Sequence, residues 1–323
     1  MQHRNNKWLN KFYKDLSNGD DNFSDDIDVN DKKISTYSQW SSSDGIHFLP
    51  TSVTVGSLPP GVYDIRISQT NGLYFEQIPV LTTGLIRFPE TNSEKIVHEI
   101  SKFWERENIF REYKLTYKRG IMLYGPPGSG KTSAVQLVMR DVIERGGVVI
   151  NFTNPSTFIA GIRKFREIQP DTPIVVLMED IDSILENTSE SDVLNVLDGI
   201  NQIEKVVFLA TTNYPERLGD RIINRPSRFD KRFKIGHPNP ESRKLYLEFV
   251  MGGHDKIKEL GHEIDKWVED TDGFSLAHLK ELFIAVVILG DNYDDAIETL
   301  TAMREENLSS KDDDTKPMMG FKK

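Results

Sequence analysis

The sequence predicts an α/β fold, in which a doubly wound parallel sheet carries a C-terminal helical lid and is preceded by a small β-rich domain. Three observations predict it. Apolar strands alternate with helical stretches between Gly120 and Gly236. These strands lack the alternation of polar and apolar residues that is typical of a sheet with one solvent-exposed face. After Pro240 the sequence is almost purely helical. Near the N-terminus, two β-rich runs flank Asn71-Gly72, a dipeptide typical of hairpin turns.

Changes in composition divide the 323-residue chain into parts. The first part is rich in Asp and Asn and poor in apolar residues, so it cannot bury enough surface to offset the entropy cost of ordering. The predicted parts are a mobile acidic segment over 1–45, a small β-rich domain over 46–90, an α/β core with a leading helix over 91–238, a helical lid over 239–307 and a flexible tail over 308–323.

Composition also excludes some classes of protein and site. The absence of cysteine excludes disulfides and thiolate metal sites, and it fits a reducing cytoplasm, where we expect the protein. The longest apolar run, Leu282–Leu289, is far shorter than the about 20 residues of a membrane span. We therefore expect a buried core helix there and no membrane segment. A net charge of −10 disfavours chain-wide binding of nucleic acid.

A glycine-rich motif follows the apolar strand Ile121–Tyr124. It reads G-P-P-G-S-G-K-T and continues into a helix-compatible stretch. In this context the backbone N–H groups of the loop converge on phosphate oxygens, Lys131 reaches the β and γ phosphates, and the Thr132 hydroxyl ligates Mg²⁺. The sequence therefore predicts a P-loop that binds a nucleoside triphosphate with Mg²⁺. The predicted contacts are Gly125, Pro126, Pro127, Gly128, Ser129, Gly130, Lys131, Thr132 and Ser133.

Polar residues also follow two later core strands. Glu179 and Asp180 come directly after the strand Ile174–Met178, where acids of a P-loop protein can hold Mg²⁺ and polarise water. Asn213 follows the strand that begins at Val206. An amide at that strand tip can orient attacking water beside the γ-phosphate. These residues extend the predicted nucleotide site beyond the P-loop.

Four sequence motifs occur in order along the chain: G-P-P-G-S-G-K-T, L-M-E-D-I-D, A-T-T-N and R-P-S-R-F-D. Together they resemble the AAA+ ATPases, and within these the AAA clade with its second region of homology. The resemblance covers about Lys118 to Asn307. It implies that ATP is hydrolysed and that Asn213 is the first phosphate sensor. It also implies that Arg225 and Arg228 act as fingers on ATP bound to a neighbouring copy, since guanidinium groups suit a transferring phosphoryl group. A ring of identical subunits, usually a hexamer, is therefore implied.

Two positions depart from the clade's pattern. Glu179-Asp180 reverses the usual D-E order, as in the mitochondrial translocases of the Rieske iron–sulfur protein. By position, Glu179 takes the Mg²⁺ role and Asp180 the water-polarising role. The segment G-F-S-L-A resembles the lid motif G-x-S-G-A, which lies near adenine in the family, but Leu276 replaces a glycine. The implied contacts are Gly273, Ser275 and Ala277.

The clade's first pore loop is an aromatic–aliphatic–x–glycine element, and Phe158-Ile159-Ala160-Gly161 matches it in position. The resemblance implies a pore in which Phe158 and Ile159 grip an extended protein substrate. Such a ring would remodel, unfold or thread proteins in a chaperone-like way. The same two residues also fit an ordinary helix core, and that alternative stays open.

Two other functions stay open. A motor or loader acting on DNA would use a basic surface, and Arg163, Lys164 and Arg166 follow the pore candidate. Nucleic acid is disfavoured as a partner because the chain is acidic and the pore candidate apolar. A slow assembly switch, in which ATP orders the ring with little turnover, is compatible with the Glu179-Asp180 order.

Overall fold

The computed structural model describes residues 39–41, 49–51, 54–69, 72–79, 92–198, 203–225, 227–252 and 263–313. The chain forms two compact units, 1–56 and 57–323. In the first unit, strands β1 (Gln39–Ser41) and β2 (Leu49–Thr51) pair antiparallel. Most of the predicted mobile segment lies outside the described residues, as does the tail from 314 onward.

The second unit is built on a seven-stranded sheet with the order β4-β3-β6-β7-β8-β5-β9. Every pair of neighbours is parallel except β3 and β4, which are antiparallel. The strands are β3 (Gly61–Ser68), β4 (Gly72–Ile78), β5 (Lys118–Tyr124), β6 (Val148–Asn151), β7 (Ile174–Met178), β8 (Val206–Thr212) and β9 (Lys231–Lys234).

Helices cover both faces of this sheet. Ile100 of α1 and Val138 of α3 pack on one face, and Phe165 of α4 and Leu197 of α6 pack on the other. The prediction of a doubly wound, mostly parallel sheet is therefore confirmed. The helices of the core are α1 (Asn92–Trp104), α2 (Glu107–Glu112), α3 (Lys131–Glu144), α4 (Pro155–Ile168), α5 (Ile181–Asn187), α6 (Glu190–Asp198) and α7 (Asp220–Ile223).

The inner strands are buried on both faces, as their unbroken apolar sequences predict. Every residue of β7 and β8 is buried. The register pairs Met178 with Ala210 and Tyr124 with Thr212, so the carboxyl ends of β5, β7 and β8 lie side by side. The loops that carry the P-loop, the acidic pair and Asn213 therefore leave the sheet at the same edge.

The predicted β-rich domain over 46–90 does not stand apart from the core. Strand β3 pairs in parallel with β6, from Gly61 opposite Val148 to Asp64 opposite Asn151. Tyr63 and Ile65 of β3 are buried in the same apolar cluster as the centre of the sheet. The hairpin thus extends the nucleotide-binding sheet, because β6 would otherwise expose an apolar edge.

The C-terminal lid consists of α8 (Pro240–Val250), α9 (Ile264–Asp270), α10 (Leu276–Phe283), a π-helical turn (Ile284–Leu289) and α11 (Tyr293–Asp313). Trp267, Phe274, Leu279 and Leu282 form its buried core. Ile288 and Leu289 are 63% and 68% exposed, so the predicted buried core helix over Leu282–Leu289 is wrong at its last two residues. None of the described helices is long and apolar enough to cross a membrane.

Candidate active site

The P-loop, Gly125–Thr132, turns from the end of β5 into the first residues of α3. A Cβ at Gly125 would lie 2.0 Å from the carbonyl oxygen of Ile235, so only glycine allows this close approach of two backbones. Gly130 caps α3 with a φ of +100°, a value that residues with a side chain rarely adopt. These glycines shape a loop whose N–H groups and helix N-terminus can face an anion.

Lys131 is folded back onto the loop that precedes it. Its Nζ donates to the carbonyl oxygens of Gly125 and Pro126, at 2.8 Å and 2.9 Å, and its side chain is buried. The ammonium group therefore lies at the base of the loop, close to the groups that would surround a phosphate chain. Reaching the β and γ phosphates requires Nζ to exchange part of these bonds for phosphate oxygens.

The acidic pair follows β7 directly. Asp180 has a φ of +46°, which is uncommon for a residue other than glycine, and it is the N-cap residue of α5. Its backbone N–H donates to Thr211 Oγ1 at 3.0 Å, which holds this conformation in place. Burial and the neighbouring Asp180 raise the pKa of Glu179. The two acids thus lie next to each other at the edge of the sheet.

The residues after β8 are joined to this acidic turn. Asn213 Nδ2 lies 3.5 Å from Asp180 Oδ1, and the buried Thr212 hydroxyl donates to Asp182 Oδ1 at 2.8 Å. Thr212 Oγ1 also accepts from the N–H of Tyr214, so it fixes the backbone on both sides of Asn213. Sequence reasoning did not single out Thr211, Thr212 or Asp182. The sequence did carry a signal for them. The threonines of T-T-N and the acids of E-D-I-D follow adjacent strands, so their side chains can meet.

One cavity of about 400 Å³ brings most of the predicted site together. Its predicted members are Pro127, Gly128, Gly130, Lys131, Thr132, Ser133, Glu179, Asp180, Asn213 and Ala277, and its further members are Thr211, Tyr246, Leu276 and Lys280. The predicted contacts that do not line it are Gly125, Pro126, Ser129, Gly273 and Ser275. Ser129 and Ser275 are buried beside it, and Ser275 accepts from the N–H of His278 to cap α10.

The two predicted finger arginines have different surroundings, and neither lines the cavity. The side chain of Arg228 is only 2% exposed, and its Nε and Nη2 donate to the two carboxylate oxygens of Asp198, each at 2.7 Å. Its Nη1 donates to the carbonyl oxygen of Arg221. Arg225 is 63% exposed, and its Nη1 lies 3.9 Å from Asp198. Of the two arginines, Arg225 alone has an exposed guanidinium group.

Residues 121–237 match the model of a family described as the ATPase family associated with various cellular activities (AAA). This stretch of the chain is an AAA domain. The matched region begins in β5 and ends after β9, so it contains the P-loop, Glu179-Asp180, Asn213 and both arginines.

Several relatives of this AAA protein come from distant organisms. The probable 26S proteasome regulatory subunit 10B of Caenorhabditis elegans is 31% identical over 54% of this chain and 47% of its own length. The cell division cycle protein 48 homolog of Archaeoglobus fulgidus is 30% identical over 54% of this chain and 25% of its own length. The probable mitochondrial chaperone bcs1 of Schizosaccharomyces pombe is 28% identical over 60% of this chain and 45% of its own length. The chain therefore spans less than half the length of each of these relatives.

The pore candidate of this AAA chain lies in the core of the protein. Phe158 is 1% exposed, and its ring centroid lies 5.3 Å from that of Phe152 and 6.5 Å from that of Phe208. Ile159 is partly buried against the same cluster. The prediction that Phe158 grips a substrate is wrong, because α4 begins at Pro155 and its first turn already directs Phe158 onto the sheet. Its alternative, a residue of the helix core, is confirmed for Phe158.

The basic residues after the pore candidate are partly occupied inside the AAA core. The Arg166 guanidinium donates to the carbonyl oxygens of Thr172, Glu204 and Lys205, at 2.6 Å to 2.9 Å. Burial lowers the pKa of Arg166 to about 10. Lys164 forms an ion pair with its neighbour on the helix, Glu167. Arg166 therefore holds two loops together and does not offer its charge to nucleic acid.

The polar groups fit Mg²⁺ bound together with phosphates. Thr132 and Glu179 line the same cavity as Lys131, and they supply one hydroxyl and one carboxylate. Mg²⁺ prefers one or two such protein oxygens together with water and substrate phosphates. Among the residues that the structure describes, no cluster of three or more His, Asp or Glu side chains is placed to hold a metal by itself. The donor set thus suits a cation that arrives with a nucleotide.

Proposed function

We propose that this AAA protein binds ATP with Mg²⁺ and hydrolyses it, and that it does so as a ring in which neighbouring copies complete each other's sites. The observation that carries the proposal is the single cavity shared by the P-loop, Glu179, Asp180 and Asn213. P-loop enzymes catalyse phosphoryl transfer mainly by positioning and by neutralising charge, and these residue types supply both. The AAA family match over the same residues supports it.

Each group of the cavity has a chemical role in this proposal. The P-loop N–H groups and Lys131 hold the phosphate chain. Thr132 and Glu179 would hold Mg²⁺, which neutralises charge on the β and γ phosphates when it is bound. Asp180 accepts a proton from the attacking water, and Asn213 orients that water. The hydrogen bond from Asp180 N–H to Thr211 keeps the Asp180 carboxylate turned toward the cavity.

The exposure of Arg225 supports sharing of sites between copies. A guanidinium group that is 63% exposed and lies outside its own cavity has no phosphate to contact within its own chain. An arginine supplied by a neighbouring copy is a known way to stabilise charge in phosphoryl transfer. We extend this to a closed ring, because head-to-tail contacts between identical copies form a ring when their rotation closes. A hexamer is the size that the family resemblance implies.

We propose that proteins are the substrates that the ring remodels. The names of two relatives, a proteasome regulatory subunit and a mitochondrial chaperone, support this choice. The net charge of −10 and the burial of Arg166 weigh against the alternative of a DNA motor. Because Phe158 is buried, the contact with substrate is assigned to no residue. The location in the cytoplasm stays a prediction from the sequence.

A complementation assay of ATPase activity tests the shared site. Arg225→Ala lacks the guanidinium that a copy supplies to its neighbour, and Asp180→Asn lacks the carboxylate of its own cavity. We expect each variant to be inactive alone and an equimolar mixture to recover activity. In a randomly mixed ring about a quarter of the sites pair an intact Asp180 with an intact neighbouring Arg225. A mixture as inactive as its parts would overturn the proposal of sites completed in trans.

Two additions to the same assay decide the substrate class. An unfolded polypeptide should raise the wild-type ATPase rate, and single-stranded DNA should not. Stimulation by DNA alone, at low salt and lost on raising the salt, would replace the protein-remodelling proposal with the DNA motor. Absence of any hydrolysis by the wild type over a wide range of protein concentration would contradict the ATPase proposal itself.

A further inference from the structure

A second cavity lies within the lid and shares no residue with the nucleotide cavity. It has a volume of about 330 Å³ and is lined by the end of α10, the π-helical turn, the loop after that turn and α11. We call it the lid groove. Its lining residues are Glu281, Ala285, Asp291, Asn292, Asp295, Ala296, Thr299, Leu300 and Met303.

The lid groove combines apolar side chains on α11 with acids around them. Ala296 and Leu300 are buried against the lid core, and Met303 is 51% exposed. Their spacing of four and three residues places them on one face of α11, where they form an apolar strip. The charged residues of the groove are all acids and all exposed, and none forms an ion pair with a residue that the structure describes: Glu281, Asp291 and Asp295. The groove therefore suits a basic peptide that also carries apolar side chains.

A peptide of this kind follows α11 in the sequence. Residues 314–323 come after the end of α11 at Asp313 and lie outside the described residues. From position 316 they read K-P-M-M-G-F-K-K, with three lysines, no acid and the large apolar side chains of Met318, Met319 and Phe321. Opposite charges favour the encounter of two surfaces, and methionine adapts its shape to an irregular apolar surface. This tail thus complements the lid groove in charge and in apolar character.

The tail is also long enough to reach the lid groove of its own chain. Met303 lies ten residues before the end of α11, which is about 15 Å along the axis of a helix. Phe321 lies eight residues after that end, and an extended chain of this length spans about 27 Å. A tail that turns back near Thr315 can therefore place Phe321 beside Met303.

We propose that the lid groove binds the tail of its own chain. Phe321 and the two methionines of the tail lie on the apolar strip, and the lysines at 316, 322 and 323 lie beside the three acids. Docking covers the exposed part of Met303 and joins the tail to the lid. The inference does not depend on the proposed function, because no nucleotide takes part in the contact.

Disulfide trapping in the full chain tests the inference, because the sequence contains no cysteine of its own. Gly320→Cys places a thiol beside Phe321, and it is combined either with Met303→Cys in the groove or with Glu305→Cys outside it. Glu305 is the matched control, since its side chain is 68% exposed on the same helix, does not line the groove and lies nearer to the tail in the sequence. The loops that the two disulfides close differ by only two residues, so a tail without a docking site would form both at nearly equal rates.

We expect the Met303→Cys pair to close at least about tenfold faster than the Glu305→Cys pair under oxidised glutathione, because docking raises the local concentration of the tail thiol. Each rate is divided by the reactivity of the helix thiol toward neutral iodoacetamide, since nearby acids make a thiol less reactive. Combining Lys316→Glu, Lys322→Glu and Lys323→Glu should abolish the preference, and these changes in the tail leave the lid core intact.

Three results would overturn the inference. The first is an equal rate for the two cysteine pairs. The second is a preference for Met303→Cys that persists after the charges of the tail are reversed. The third is a product made mainly of covalent dimers whose fraction rises with protein concentration, because the groove would then hold the tail of a second copy.

Discussion

Asp198 binds Arg228 through both of its carboxylate oxygens, while Arg225 approaches the same carboxylate only to 3.9 Å. One acid at the end of α6 thus anchors the second arginine of R-P-S-R-F-D inside the protein and leaves the first one exposed. Bidentate pairing is the strongest arrangement of these two groups. The two arginines, which the family resemblance treats alike, therefore contribute differently to folding and to function.

Substitution of the two arginines should separate stability from activity. Arg228→Ala leaves Asp198 without its partner and the carbonyl oxygen of Arg221 without a donor, so we expect it to lower the free energy of unfolding by about 3 kcal/mol. Arg225→Ala should leave stability within about 0.5 kcal/mol and lower the ATPase rate at least about 100-fold. Urea denaturation and ATPase assays of both variants check this. Equal stability of the two variants would contradict it.

The Asp198–Arg228 pair also predicts how stability depends on pH. The hydrogen-bonded guanidinium of Arg228 holds the pKa of Asp198 below its ordinary value, despite partial burial that opposes the shift. A lowered pKa contributes stability above the ordinary carboxyl pKa, about 3.9, and this contribution is lost as the pH falls through the pKa of the folded state. Asp198→Asn should therefore be less stable than the wild type at pH 7, and the difference should shrink below about pH 4. A difference that stays constant between pH 7 and pH 3 would contradict this origin.

The sequence predicted the parts of the fold that depend on local pattern. Apolar runs without polar alternation located the inner strands, and β7 has the predicted bounds Ile174–Met178. The P-loop lies between β5 and α3 as predicted. Strand β9, Lys231–Lys234, was not predicted, because three of its four residues are basic and exposed at an edge of the sheet. Edge strands carry charges that conceal them from a search for apolar runs.

The structure departs from what the sequence suggested where distant segments decide the outcome. The hairpin β3–β4 has the sequence of a small domain, and only its pairing with β6 joins it to the core. Phe158 matches a pore motif in sequence, but the helix around it faces the sheet. Arg228 carries a motif whose role needs exposure, yet Asp198, thirty positions earlier, binds it internally. In each case the local sequence pattern is present as described. The contact that decides its role comes from a segment that is distant in the sequence.

Arg166→Met should destabilise the protein without any direct effect on nucleotide binding. The guanidinium donates to carbonyl oxygens in the turn before β7 and in the segment before β8, so its loss removes the donor that the carbonyl oxygens of Thr172 and Glu204 share. We expect a loss of about 2 to 3 kcal/mol in the free energy of unfolding, measured by urea denaturation. Lys164→Met on the exposed face of α4 is the control and should change it by less than about 0.5 kcal/mol. Unchanged stability of Arg166→Met, with lost DNA binding, would favour the DNA motor.

Phe158→Ala should lower the stability of the fold rather than weaken a contact with a substrate. The ring fills a site between Phe152 and Phe208, and truncation of a buried phenylalanine costs about 3 to 5 kcal/mol through lost burial and the cavity that remains. Phe158→Leu keeps most of the volume and should cost less than half as much. Denaturation curves of the two variants give the comparison. A fully stable Phe158→Ala whose ATPase rate no longer responds to unfolded polypeptide would restore the pore assignment.

Asp180→Asn should stop hydrolysis while ATP still binds. Asparagine tolerates a positive φ about as well as aspartate, so the backbone at +46° and its hydrogen bond to Thr211 are kept and only the carboxylate is lost. A general base typically contributes 10²-fold or more, so we expect the turnover rate to fall at least about 100-fold and the affinity for ATP to change less than about threefold. Single-turnover hydrolysis and equilibrium ATP binding measure the two quantities. Retained turnover would shift the role of the base to Glu179, whose pKa burial already raises. Lost turnover with undiminished assembly and biological activity would instead favour the slow assembly switch, because a motor that cannot hydrolyse ATP stalls.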